Sequence, residues 1–167
     1  MKVILQEVPK IGIIMEQYLM EGIIFVGVQA CGKTTFYSEN FFKTHIRLNL
    51  DMLRSRNREN ILLNAVIKAK QPVVIDNTNP TIKERAKYIT QFKRGNFNII
   101  GYYFRSNIKE CIERNNMRKG KECIPEIGIK GTYGKLELPC YSEGFNKLYY
   151  VSLNDDGFVL KEWKHEV

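Results

Sequence analysis

The sequence predicts an α/β fold: three layers, αβα, with helices on both faces of a five-stranded parallel sheet. Three observations carry this expectation. Short apolar runs at Ile23 to Val26, Val73 to Ile75 and Phe97 to Phe104 read as strands buried on both faces. Segments with helical spacing separate them, as right-handed crossovers in a parallel sheet require. The 167 residues suit one such domain and fall short of two.

Residues 1–21 read as an N-terminal extension of open structure, because VILQEV suits a strand, Pro9 interrupts it, and IGIIMEQYLM has no clear period. Residues 22–167 are expected to form the single domain. Its first strand leads into GVQACGKTT, where Gly27, Gly32, Lys33 and Thr34 satisfy G-x-x-x-x-G-K-[ST] between a strand and a helix, the setting this phosphate-binding loop (P-loop) requires. Two glycines let successive N–H groups point inward, and the helix N-terminus adds partial positive charge. Ala30 and Cys31 need only be small, because the loop presents backbone. Gly27, Ala30, Cys31, Gly32, Lys33, Thr34 and Thr35 are therefore the expected nucleotide-binding residues, with Lys33 on the β- and γ-phosphates of a nucleoside triphosphate and the Thr34 hydroxyl on Mg²⁺.

The helix after Thr34 offers Phe36, Phe41 and Phe42 to the sheet. In HIRLNLDMLRSR, Ile46, Leu48 and Leu50 alternate as in a strand and Asp51 falls at its carboxyl end. Asn57 to Gln71 predicts a helix with Ile61, Leu62, Ala65, Val66 and Ala69 on its apolar stripe, stopped by Pro72. The strand Val73 to Asp76 ends in a carboxylate. Asn79 followed by Pro80 predicts a helix start, with Ile82, Ala86, Ile89 and Phe92 along the helix to Gly95. Phe97 to Phe104 is the fourth strand, Asn107 caps a helix to about Met117, and Leu148 to Leu153 is the fifth strand. The turn at 154–157 lets FVLKEW return as a terminal hairpin strand.

The net charge of +8 and pI near 9.3 favour a polyanionic partner or a merely well-solvated surface. Cys31, Cys111, Cys123 and Cys140 have no C-x-x-C spacing, and His45 and His165 are too few for a zinc site, so reduced cysteines are expected. No run approaches the 18 apolar residues of a membrane span and the first 20 residues lack a signal-peptide pattern, so a cytoplasmic protein without membrane contact is expected.

Ligands of parallel sheets sit beyond the carboxyl ends of the strands, which gathers the P-loop, Asp51 and Asp76 at one edge. An ionised Asp51 within reach of an alcohol could orient it and accept its proton, and Arg54 would share its side if a helical turn begins there. A helix cap with a surface ion pair is the other reading. Asp76 reads either as an Mg²⁺-linked carboxylate near Thr34 or as a partner of the Asn77 to Asn79 turn. In ERNNMRKGKECIP, Arg114 and Arg118 share one helical face, and Lys119 and Lys121 follow. Such a run is either a solvated face or a lid that brings guanidinium groups over a triphosphate.

With these residues in hand the chain resembles the P-loop polynucleotide 5′-hydroxyl kinases, AAA-type P-loop kinases that include phage-type and end-healing kinase domains. GVQACGKTT, LNLDMLRSR, VVIDNTNPTIKERA and RNNMRKGKECIP match in family order. The resemblance implies an adenylate-kinase-like P-loop NTPase fold with an arginine-bearing lid, and transfer of the ATP γ-phosphate to a nucleic acid 5′-hydroxyl with Mg²⁺. It implies Lys33, Asp51, Arg54, Arg114 and Arg118 as catalytic residues, Asp51 being the general base, and Thr34 and Asp76 at the metal. Ala30 and Cys31 replace a frequent glycine and serine, and no D-x-D-x-T phosphatase signature is present. Arg54, Arg56 and Arg58, with Lys83, Arg85, Lys87, Lys93 and Arg94, would supply a basic rim for a backbone. Phosphorylation of a small alcohol, or nucleotide binding with little transfer, are the competing functions.

Overall fold

The computed structural model describes residues 20–164; the readings made for residues 1–19 lie outside the described residues. The sheet has six strands: β1 (Glu21–Val26), β2 (Ile46–Leu48), β3 (Val73–Ile75), β4 (Asn98–Phe104), β5 (Lys147–Asn154) and β6 (Gly157–Glu162), in the order β2-β3-β1-β4-β5-β6. The first five are parallel and β6 returns antiparallel on β5, which bears out both the parallel sheet and the terminal hairpin. The chain leaves β1 for one edge and later fills the other. That reversal opens a crevice at the carboxyl ends of β1 and β3.

Helices α1 (Lys33–Asn40), α2 (Leu50–Leu53), α3 (Arg56–Lys68), α4 (Ile82–Arg94), α5 (Ile108–Asn116) and α6 (Glu126–Gly134) connect the strands. Alternate strand residues feed two cores, one on each face. Ile24, Ile75, Ile99 and Leu148 pack with Leu63 and Val66 of α3 and Ile89 and Phe92 of α4, whereas Ile23, Phe25, Val74 and Phe104 pack with Phe36 of α1, Cys111 of α5 and Ile129 of α6. Phe25 sits edge-on to Phe36, Tyr102 and Phe104 at 5.0 to 6.0 Å between ring centres.

Several local expectations change. Leu50 does not extend β2: Asn49 turns the chain by accepting from the Met52 N–H, so Leu50 opens α2. Phe42 is 70% exposed, because α1 ends at Asn40. On α3 the buried face is Glu59, Leu63 and Val66, while Ile61 and Leu62 are exposed; α3 meets the sheet on a face rotated from the apolar stripe, and the Glu59 carboxylate that this buries is paired with Arg56, Asn77 and Tyr88. The helix after Pro80 begins later, at Ile82, where Thr81 and Glu84 form a reciprocal capping box, and Ala86 faces solvent. Asn79 adopts φ +45° and donates from Nδ2 to Phe25 O at 2.8 Å, so it locks β1 instead of capping α4. Helix α6 had no counterpart in the sequence reading; IGIKGTYG has three glycines and weak periodicity.

Candidate active site

Gly27 leaves β1 at φ +153° and its N–H donates to Thr78 O at 3.0 Å, which joins the ends of β1 and β3. Gly32 has φ +99°, a left-handed conformation at which a side chain would be strained. Ala30 is also left-handed, at φ +60°. Smallness therefore does not describe its whole role: it takes a backbone conformation that costs an L residue on the order of 1 kcal/mol and that the glycine frequent here would adopt freely. Lys33 is 8% exposed, and its ammonium bridges the loop, donating to Gly27 O at 2.9 Å and to Val28 O, with Cys31 Sγ at 3.4 Å. The first turn of α1 holds no acidic residue of its own. Cys31 is buried, while Thr34 and Thr35 are exposed at the start of α1.

Thr34 and Asp76 meet. The hydroxyl donates to Asp76 Oδ2 at 3.0 Å, although the residues are 42 apart in sequence, while Asp76 is 2% exposed. A hydroxyl and a carboxylate on the rim of a phosphate loop are hard oxygen donors of the kind Mg²⁺ takes when phosphates and waters complete its octahedron. Among the described residues no cluster of three or more His, Cys, Asp or Glu could hold a metal ion. Arg47 of β2, absent from the sequence reading, completes this group: Nε and Nη2 lie 2.8 and 2.6 Å from Asp76 Oδ2, and Nη2 donates to Thr34 Oγ1 at 3.1 Å. Its only signal was a charged residue between Ile46 and Leu48.

Asp51 lies in the first turn of α2 with an exposed side chain. It does not cap α2, since Asn49 does, so the cap reading fails. The turn is anchored twice to β3: Asn49 Nδ2 donates to Asp76 O, and Asn77 Oδ1 accepts from the Leu50 N–H at 2.8 Å. Behind Asn77, the buried Glu59 accepts from Asn77 Nδ2 at 2.7 Å, Tyr88 Oη at 3.0 Å and Arg56 Nη1 at 2.9 Å. Burial, and then the Glu59 carboxylate, push the Tyr88 phenol up to about 12. Asp76 thus serves Thr34 through its side chain and the Asp51 turn through its backbone. Arg54 is exposed at the carboxyl end of α2, with φ +60°.

On the far side of the loop, Arg114 Nε donates to Ala30 O at 2.9 Å, so this arginine braces the P-loop itself. Arg118 lies beyond the end of α5 and is exposed. Asn115 fixes the base of that segment by pairing both amide atoms with the Ile124 backbone, at 2.8 and 2.9 Å. Gln29 Nε2 donates to Thr132 Oγ1 at 3.0 Å, which joins α6 to the loop. The proposed basic rim loses one member: Arg85 is 0% exposed and forms a forked pair with Glu143 at 2.7 and 2.9 Å. Helical spacing alone placed it with Lys83 and Lys87, which are exposed.

The family described as an AAA domain matches residues 23–130. The chain is 27% identical over 136 residues to a bifunctional polynucleotide phosphatase/kinase of Schizosaccharomyces pombe, covering 78% of this chain and 33% of that protein. It is also 27% identical over 155 residues to a putative bifunctional polynucleotide phosphatase/kinase of Acanthamoeba polyphaga mimivirus, covering 86% of this chain and 36% of that protein. The chain thus spans about a third of the length of these curated relatives. Among solved structures, Chaetomium thermophilum Kti12 in complex with ADP-AlF3 superposes with a TM-score of 0.62 at 16% identity, covering 81% of this chain and 90% of that one. The Pnkp1/Rnl/Hen1 RNA repair complex gives 0.59 at 24% identity over 71% of this chain and 44% of that one. The fold is that of the P-loop kinases. No helix among the described residues is long and apolar enough to cross a membrane.

Proposed function

The chain belongs to the AAA domain family, and on that premise we propose that it is an ATP-dependent kinase acting on the 5′-hydroxyl of a polynucleotide. The observation that carries this reading is the anchoring of the Asp51 turn to Asp76 and Asn77, which ties an exposed carboxylate to the same strand end that holds Thr34 of the phosphate loop.

In this reading the N–H groups of Ala30, Cys31, Gly32, Lys33, Thr34 and Thr35 cradle the triphosphate beyond the turn that Gly27 opens with its own N–H tied to Thr78, and Lys33 exchanges its carbonyl partners for phosphate oxygens. Thr34 and Asp76 hold Mg²⁺, which when bound neutralises charge on the β- and γ-phosphates. Asp51 orients the 5′-hydroxyl and takes its proton as the oxygen attacks the γ-phosphorus. The bond to the β,γ-bridging oxygen breaks and ADP leaves. Arg54 contacts phosphate on the acceptor side, and Arg114 and Arg118 meet it from the lid. The described residues from β1 to β6 act as one domain, which starts at Glu21. The polynucleotide acceptor is supported by the names of the two curated relatives, and by the exposed Lys83, Lys87, Lys93 and Arg94 of α4.

The test mixes the protein with γ-labelled ATP, Mg²⁺ and either 5′-hydroxyl oligonucleotides, a panel of small alcohols or water. Label on the oligonucleotide is expected. Label confined to the small alcohols would sink the polynucleotide acceptor.

A further inference from the structure

Arg47 stands where a divalent cation would be expected. Asp76 Oδ2 receives Nε and Nη2 of this one guanidinium as well as the Thr34 hydroxyl, and Nη2 also donates to Thr34 Oγ1, the oxygen through which Thr34 would bind metal. The carboxylate is almost wholly buried, and among the described residues its ion-pair partner is Arg47. Tyr37 backs the guanidinium, 5.7 Å from its ring centre, and Tyr37 is itself fixed by donating to His45 O at 2.8 Å. Burial is the largest influence on that phenol and raises it, so it stays neutral beside the arginine.

We propose that Arg47 is a resident competitor for the divalent cation: it holds Thr34 and Asp76 until a nucleotide-borne metal displaces it, and its charge is then redirected toward the phosphates. This rests on the kinase reading above. A guanidinium and a divalent ion at this carboxylate compete for Asp76 Oδ2 and the Thr34 hydroxyl, and their like charges repel at these distances. Exchange couples the two events: metal loading frees the arginine, and the arginine raises the metal concentration needed for loading. The side chain has somewhere to go, since it is about a quarter exposed.

The test uses Mn²⁺ as a paramagnetic probe with ADP and reads free ion by electron paramagnetic resonance, without turnover. Arg47→Met keeps the apolar stem on Tyr37 and removes the charge. It is expected to lower the half-saturating Mn²⁺ concentration about tenfold or more, given the loss of a unit charge in contact with the site. Arg47→Lys keeps the charge without the fork and is expected to fall between the two; it also carries the test if Arg47→Met does not fold. Mn²⁺ binding that is unchanged or weaker in folded variants would overturn the role of Arg47 while leaving the kinase reading standing. Failure of the unsubstituted protein to bind Mn²⁺ with ADP would overturn both.

Discussion

Asn77 Oδ1 accepts a hydrogen bond from the Leu50 N–H at 2.8 Å, so the end of β3 holds the turn on which Asp51 stands. Asn77 is held in turn through Nδ2 by the buried Glu59. The Asp51 turn is therefore positioned by Asn77 and, behind it, by Glu59.

Two variants separate the base from its support. Asp51→Asn should leave ATP affinity intact and lower kcat by roughly 10² to 10⁴, the usual worth of a general base. Asn77→Ala should also spare ATP affinity but lower kcat by about 10²-fold, since a misplacement near 1 Å costs that much. Stability distinguishes them: Asn77→Ala should lower the unfolding midpoint, because Glu59 and the Leu50 N–H each lose a partner, and Asp51→Asn should leave it unchanged. Full turnover in Asp51→Asn would remove Asp51 as base.

Helical spacing put Arg114 and Arg118 on one face, but α5 ends at Asn116, so only Arg114 is on the helix and their environments differ. Arg114 donates to Ala30 O, so Arg114→Ala should loosen the phosphate loop and raise KM for ATP as well as lowering kcat. The exposed Arg118 has no such task, and Arg118→Ala should lower kcat with little change in nucleotide affinity. Steady-state kinetics combined with ATP-binding calorimetry checks the split.

Arg85 makes a forked, fully buried pair with Glu143 and donates from Nη1 to the carbonyls of Asn79, Pro80 and Glu137. Arg85→Met should destabilise the protein by about 3–5 kcal/mol, because it strands the Glu143 carboxylate and three carbonyls. Urea titration should show an earlier midpoint at unchanged slope. The basic-rim reading of Arg85 would instead leave stability unaltered.

Tyr88, raised to about 12 from the ordinary 10.0, holds its proton more tightly in the folded state. Its contribution is complete below pH 10 and is lost as pH rises toward 12, with a slope near 1.4 kcal/mol per pH unit for one proton. Burial raises Tyr102 and Tyr103 in the same direction, so alkaline destabilisation has several sources. Tyr88→Phe should remove one proton's worth of that slope while costing about 1–3 kcal/mol at neutral pH, as Glu59 loses a donor. Denaturation midpoints measured from pH 8 to 12 decide this.

The parts legible in the sequence are those in which function depends on residues close together in the chain. GVQACGKTT carries its own geometry: Gly27 and Gly32 supply two of its three positive φ values, and Lys33 and Thr34 follow at once on the helix. The strands were readable because parallel strands covered on both faces need unbroken apolar runs, as in Ile23 to Val26. Helix faces were less so. Packing, and not the apolar stripe, decided that Glu59 and Arg85 turn inward while Ile61 faces solvent.

The sequence by itself determined a P-loop α/β domain and the positions of its acids and arginines. Only the tertiary structure decided which of them meet. Thr34, Arg47 and Asp76 come from α1, β2 and β3, and join because β3 pairs between β2 and β1, bringing the carboxyl ends of all three strands to one edge. No spacing along the chain encodes that contact; strand order does. The same order explains why Arg47, an unremarked residue in a three-residue strand, sits on the oxygens proposed for the metal.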